Sequence, residues 1–344
     1  MYRIDLEPHE VRQVEELIDG VMLRYKSVED PDFLDEVNVI AHELPRRLRH
    51  TLHRFKHFED CYGTCVVGGL PVDDGQIGPT PQHWRYRPEV SPTLREEIFF
   101  VLCSSILGDA IAWSTQQDGY LMHEVAPIKE HETDQLGFSS QQYLEWHTED
   151  AFHPYRADYL GLMCFRNPTG TSTTVGSVTD LDLEDPKFDH LFDSHFTIKP
   201  DESHLEKNRA LHKVTLAATA QPNGNPDYDE INLMNERPDT IAVLFGDRKS
   251  PYMRLDPYFM GEVASDSARE ALDELIEQIE SNLKEFVLKP GEIFFADNYR
   301  VVHGRTPFKA KYDGRDRWLK RLNIVRDLRK SRDKRARPNC RKIS

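Results

Sequence analysis

Trp146-His147-Thr148-Glu149-Asp150, answered far downstream by Val301-Val302-His303-Gly304-Arg305, decides how this chain is read. On an extended strand, residues i and i+2 face the same way, so His147 and Glu149 can set an imidazole nitrogen and a carboxylate oxygen on one ion. A third ligand has to come from elsewhere. Two histidines and one carboxylate on one face of an octahedron leave three positions open, an arrangement that suits non-haem Fe(II) and oxygen chemistry. A lone His-x-Glu is a weak signal, because both side chains can simply face solvent. It is strengthened by Leu288-Lys289-Pro290-Gly291-Glu292-Ile293-Phe294-Phe295-Ala296-Asp297-Asn298, a turn and an apolar strand that deliver His303 to a sheet interior.

Outward from these runs the chain is mainly β with flanking helices. Short apolar stretches separated by Gly/Pro turns fall at Ala110 to Trp113, Tyr159 to Cys164, Thr173 to Val178, Ile241 to Phe245, Phe286 to Leu288, Ile293 to Ala296 and Leu322 to Val325, as in a sandwich or barrel. Ahead of them, Val11 to Tyr25 and Ala41 to Phe55 carry helical spacing, and Ser91-Pro92 opens a third helix that Gly108 ends. Another helix, about 266–284, interrupts the strands, with Ser267 and Glu270 placed as a capping box. The division is a mainly helical flank over 1–110, a β core over 111–328 and a basic tail over 329–344. The polar, aperiodic stretch of about 199–225 is placed as a lid. Arg326 to Ser344 holds nine Lys/Arg against two Asp, which reads as a solvated or frayed tail.

Composition narrows the partners. The 344 residues carry 44 Lys+Arg against 59 Asp+Glu, a net charge of −15, which argues against a nucleic-acid surface. No apolar run is long enough to span a bilayer, and the N-terminus lacks the regions of a signal peptide, so a cytoplasmic protein is expected. The five scattered cysteines form no disulfide framework. Cys61 and Cys65 resemble half of a zinc site, but no second pair completes it, and Cys65-Val66-Val67 reads as strand core. Hydrolase elbow, phosphate-loop and dinucleotide fingerprints are all missing from the sequence.

The run Trp146 to Tyr159, together with Asp297 to Arg305 and Tyr312-Asp313-Gly314-Arg315-Asp316-Arg317-Trp318-Leu319-Lys320-Arg321, resembles the clavaminate synthase-like Fe(II)/2-oxoglutarate oxygenases. Within them it is most similar to the free L-arginine hydroxylases of the viomycin and streptothricin antibiotic pathways. The likeness extends over nearly the whole chain, including Ile40 to Leu48 and Ala112 to Gly119. It implies one oxygenase domain over 1–344, built on a distorted double-stranded β-helix, the jelly roll. It implies that His147, Glu149 and His303 bind Fe(II), that Arg317 pairs with the distal carboxylate of the co-substrate 2-oxoglutarate, that Thr173 adds a hydroxyl contact, and that O2 is consumed. A guanidinium fork suits a fixed carboxylate.

The same likeness implies a free amino acid as partner, arginine or a close analogue, hydroxylated at an unactivated carbon such as C3, with succinate and CO2 released. Gln116 and the second oxygen of Glu149 match the pair that holds the α-amino group, Arg321 the partner of the α-carboxylate, and Asp256 an acid that receives the guanidinium. Asp201 and Ser203 match the lid that closes over the substrate. One position departs: the viomycin-type pattern has a second acid two residues after Asp256, where this chain has Tyr258. A phenol is uncharged at neutral pH, so enduracididine, citrulline or another arginine derivative stays open as substrate. Two histidines and a glutamate also suit a zinc hydrolase, and a jelly roll can be a binding module without turnover.

Overall fold

A computed structural model describes residues 1–59, 62–205, 226–263 and 265–344, with the side chains of 226 and 227 left aside. The helices are α1 (Pro8–Arg24), α2 (Pro31–Ile40), α3 (Arg46–His57), α4 (Leu94–Leu107), α5 (Pro226–Glu236) and α6 (Asp266–Asn282). The strands of the first half are β1 (Tyr2–Asp5), β2 (Thr64–Gly68), β3 (Asp109–Trp113), β4 (His123–Val125), β5 (Leu144–His147), β6 (Tyr159–Arg166) and β7 (Thr173–Ser177). Those of the second are β8 (Phe196–Thr197), β9 (Thr240–Ile241), β10 (Leu244–Asp247), β11 (Ser250–Met253), β12 (Lys284–Phe286), β13 (Ile293–Asp297), β14 (Val301–Arg305), β15 (Trp318–Val325) and β16 (Lys342–Ile343).

Two sheets organise the molecule. The larger runs β1-β2-β13-β6-β15-β3-β16, with β4 also on β15; the smaller runs β12-β7-β14-β5. The larger sheet is mixed, because β1 lies parallel to β2 and β16 parallel to β3. Period-2 alternation then assigns each face of the buried strands to a layer. On β6, Leu160, Leu162 and Cys164 join Phe294 of β13, Val175 of β7 and Val301 of β14 in the core between the sheets. Tyr159, Met163 and Phe165 point the other way, into a core shared with α1 to α4. Beyond the smaller sheet, Val302 meets Ala268, Leu272, Leu275 and Ile279 of α6. The layers are therefore helices, large sheet, small sheet and helix. Among the described residues no helix is long and apolar enough to cross a membrane.

Several local expectations shift. Helix α6 is capped by Ser265, whose hydroxyl accepts from the Ala268 amide, two residues before the Ser267 capping box. Helix α2 has no counterpart in the sequence reading; its start is set by Asp30, which caps the Asp32 amide, and by Pro31 at the first position. The run Ile241 to Phe245 is divided between β9 and β10. The basic C-terminal segment is docked, not frayed: Ile343 is buried, and β16 pairs with β3. Its two buried guanidiniums are satisfied internally, Arg341 by Asp109 and the Leu34 carbonyl, Arg335 by the carbonyls of Leu328, Pro338 and Cys340. A basic run counts as a solvated tail only while its guanidiniums lack such acceptors. Cys65 sits buried in β2 as the strand reading has it, whereas Cys61 lies outside the described residues.

Candidate active site

Strands β5 and β14 run antiparallel with His147 directly opposite His303, and the register slips by one between His303 and Arg305. Gly304 permits the closeness, since a Cβ there would lie 2.6 Å from the Leu144 carbonyl oxygen. The imidazoles face each other with centroids 4.6 Å apart. Glu149 does not share the strand, as the i, i+2 reading expected: β5 closes at His147 and Glu149 lies in the turn that follows. Asn298, in the bend between β13 and β14, fixes that turn. Its carbonyl accepts the Glu149 amide at 2.8 Å, and its own amide donates to the Glu149 and Ala157 carbonyls at 3.0 and 2.9 Å. The turn brings Glu149 Oε2 to 3.4 Å from His303 Nε2 and 3.7 Å from His147 Nε2.

One nitrogen or oxygen from each of His147, Glu149 and His303 lies within 4.8 Å of the others. The donor set fits a divalent cation. His147 Nδ1 lies 2.8 Å from the Glu145 carbonyl, which can only accept, so that nitrogen holds a proton and Nε2, turned toward Glu149, is the one that an ion would bind in exchange for its own proton. Burial lowers the pKa of both imidazoles. In His147 the Glu149 hydrogen bond and the Asp256 charge outweigh burial and raise it to about 9, whereas in His303 burial prevails and lowers it. Burial opposes the Glu149 carboxylate too, yet Arg321 and both histidines hold it well below the ordinary value. An ionised glutamate between two imidazoles competing for one proton is a ready cation site.

A second triplet, Asp150, Asp201 and His204, is equally close, but its lone pairs are taken. Asp150 accepts from Trp113 Nε1 at 2.6 Å, Asn323 Nδ2 at 3.0 Å and His204 Nε2 at 3.0 Å. A cation there would meet N–H groups head on. His204 and Asp150 were missed in the sequence, because their partners, from Trp113 to Asn323, meet them only in the folded chain.

A single pocket joins the histidine cluster to every other residue singled out: Thr173 and Arg317 line it, as do Gln116, Asp201, Ser203, Asp256, Tyr258 and Arg321. Arg321 bridges Glu149 Oε1, Gln116 Oε1 at 3.1 Å and His123 Nδ1 at 2.8 Å. The Gln116 amide donates to Ser203 Oγ at 2.5 Å, and Asp201 caps the Ser203 amide. Asp256 is buried, and burial, aided by the Asp201 charge, pushes its pKa up to about 6. Tyr258 is 57% exposed and rests against Phe259. Of the lid stretch 199–225, residues 206–225 lie outside the described residues.

Arg317 is the anomaly. It is buried, yet no hydrogen bond or ion pair is recorded for it among the described residues, and burial alone pulls its pKa down to about 10. A buried cation without a counter-ion is costly, and this one faces a pocket.

Two packed sheets with a His-Glu-His cluster between them define the class, a non-haem iron oxygenase fold. The solved structure of the non-heme iron oxygenase OrfP in complex with Fe, succinate and (3S)-hydroxy-L-Arg superposes with a TM-score of 0.91 at 42% identity, covering 100% of both chains. The chain belongs to the taurine catabolism dioxygenase TauD, TfdA family, whose profile matches residues 113–323. It is 44% identical over 343 residues to the enduracididine beta-hydroxylase of Streptomyces hygroscopicus, with 100% of each chain covered. It is 45% identical over 353 residues to the L-ornithine/L-arginine 3-hydroxylase of Catenulispora acidiphila, again with 100% of each covered.

Proposed function

We propose that the protein is an Fe(II)- and 2-oxoglutarate-dependent hydroxylase of free L-arginine or a close analogue, acting at C3. The observation that carries this reading is the buried Arg317, unpaired among the described residues, in a pocket that also holds the His147/Glu149/His303 cluster and the acids Asp201 and Asp256. Such a pocket suits two ligands of opposite demand, a dicarboxylate at the cationic end and a cationic amino acid at the acidic end. The two relatives are named for hydroxylating enduracididine and ornithine or arginine, and OrfP has been solved with Fe and alpha-ketoglutaric acid. We further propose that the two sheets form a distorted double-stranded β-helix and that residues 1–344 make one domain.

Iron bound with 2-oxoglutarate and O2 supplies the oxidising power, with one oxygen atom entering the amino acid and the other leaving in succinate as CO2 is released. The chain's own part is placement. His147, Glu149 and His303 hold the metal, and Arg317 with Thr173 holds the co-substrate by its distal carboxylate. Arg321 receives the α-carboxylate, while Gln116 and Glu149 Oε1 receive the α-amino group. Glu149 thereby fixes the backbone of the amino acid relative to the metal it binds, so one C–H bond is presented repeatedly. Asp256 receives the guanidinium, with Asp201 and Ser203 beside it. Tyr258, uncharged and more than half exposed, leaves room for enduracididine or citrulline in place of arginine. Anaerobically purified protein given Fe(II), 2-oxoglutarate, O2 and arginine should form hydroxyarginine and succinate in equal amounts. Arginine-independent succinate formation would count against the reading.

A further inference from the structure

Arg305 closes β14 two residues after His303 and is 97% buried by the complement of its 3% exposure. Its guanidinium donates to Ser139 Oγ at 2.9 Å and, more loosely, to the carbonyls of Thr306, Ser140 and Gln142 at 3.3 to 3.4 Å. All four acceptors are neutral. No carboxylate pairs with it among the described residues, and its Nε has no acceptor. Arg305 and Arg317 thus line one pocket as two buried guanidiniums with no counter-ion among the described residues.

Three of the four acceptors of Arg305, on Ser139, Ser140 and Gln142, end a folded-back segment, 128–142. Its base is closed by the Ile128 amide on the Phe138 carbonyl at 3.0 Å, and by the Ser140 and Gln141 amides on the Glu132 carbonyl at 3.2 and 2.8 Å. Phe308 and Tyr312 tie it from the far side, through the Phe308 amide on the Ser140 carbonyl at 2.8 Å and the Tyr312 hydroxyl on Glu132 at 3.1 Å. Leu136, Gly137 and Phe138 of this segment form part of the pocket wall. A tether made to neutral oxygens does not require a charge, and a buried charge is destabilising unless something offsets it. The pocket is where an offsetting anion can enter.

We propose that Arg305 is a positioning residue for the dicarboxylate co-substrate, tying the 128–142 segment to the iron-bearing strand and supplying a second positive charge behind the distal carboxylate held by Arg317. The inference rests on the 2-oxoglutarate reading of the pocket. Two consequences separate its parts: the charge governs affinity for the anion, whereas the fork governs closure of the segment. Arg305→Lys keeps the first and loses the second; Arg305→Gln loses both.

Calorimetric titration of 2-oxoglutarate into anaerobic Fe(II)-loaded protein reads the charge. Arg305→Gln should weaken binding about tenfold while Arg305→Lys recovers most of it, with arginine affinity within about twofold of wild type in both. Limited trypsin digestion reads the fork: cleavage after the exposed Lys129, identified by fragment mass, should be faster in both variants. Unchanged 2-oxoglutarate affinity in Arg305→Gln overturns the proposal, as does equal weakening for both ligands, which marks general damage to the fold. Wild-type protein that fails to bind 2-oxoglutarate at all refutes the underlying functional reading instead, and the trypsin result still shows whether Arg305 holds the segment.

Discussion

Lys320 and Arg317 stand three residues apart, both basic and both buried, yet their surroundings are opposite. The Lys320 ammonium on β15 lies 2.5 Å from Glu97 of α4 and 2.9 Å from Glu124 of β4. Glu124 also accepts from Trp318 Nε1 at 2.7 Å, and Glu97 from Thr93 Oγ1 at 2.7 Å. Burial works against the Lys320 charge, but the two glutamates outweigh it and raise its pKa. For Arg317 burial wins and the pKa falls. A fully satisfied buried charge belongs to the wall of the site, and an unsatisfied one to its ligand. Arg317, just ahead of β15, and Lys320 within it thereby separate recognition from architecture.

The contrast breaks if both residues behave alike when neutralised. Lys320→Met strands two glutamates beneath the sheet and should destabilise the protein by about 4 kcal/mol, measured by urea unfolding; a loss below about 1 kcal/mol would mean the glutamates simply take up protons. Arg317→Met removes a charge that no group among the described residues balances. Its stability should stay level or rise, while 2-oxoglutarate binding weakens by about 3 kcal/mol, roughly a hundredfold. An Arg317 variant that unfolds as readily as the Lys320 one would make both residues structural.

The same logic applies with the sign reversed at the acidic end. Asp256 is buried with no Lys or Arg paired to it among the described residues, and burial, opposed by the nearby His147 charge, has raised its pKa to about 6. Protonation below that pH removes the charge that receives a cationic side chain, so wild-type kcat/KM for arginine should fall as pH drops through about 6. Asp256→Asn should raise the arginine KM by about 2 kcal/mol, roughly thirtyfold, and erase that acid limb, while the KM for 2-oxoglutarate barely moves. An acid limb that survives the substitution assigns it to another group.

How much of this was legible in the sequence follows from the range over which each residue acts. The histidine-bearing strands could be read because alternation and turn residues are local. Helix α4 could be read to its end because Gly108 terminates it. Glu149 does lie beside both histidines, but not by the strand alternation that the spacing suggested. The carboxylate reaches the histidines through a turn held by Asn298, 149 residues downstream, and no spacing rule reports that. Arg305, His204 and Asp150 stayed hidden for the same reason. The docked C-terminus was misread because its arginines find carbonyl acceptors only in the folded chain. Arg317 was named by likeness, but its missing counter-ion is visible only in three dimensions.

Tyr258 gives the smallest effect and the finest test. It lies in the pocket with Asp256, yet it is 57% exposed, so a carboxylate placed there remains hydrated and screened. Tyr258→Asp should therefore improve arginine binding by only about 0.5 kcal/mol, roughly twofold. Citrulline, of similar shape but uncharged, should gain nothing, so the preference for arginine over citrulline rises by that same factor. Competition assays with both amino acids in one reaction read the ratio directly. A gain above about tenfold would show that position 258 is enclosed once substrate is bound, and would move it from the hydrated rim to the desolvated acidic end beside Asp256. An unchanged ratio would leave Asp256 and Asp201 as the acids that set the charge preference, with Tyr258 contributing shape alone.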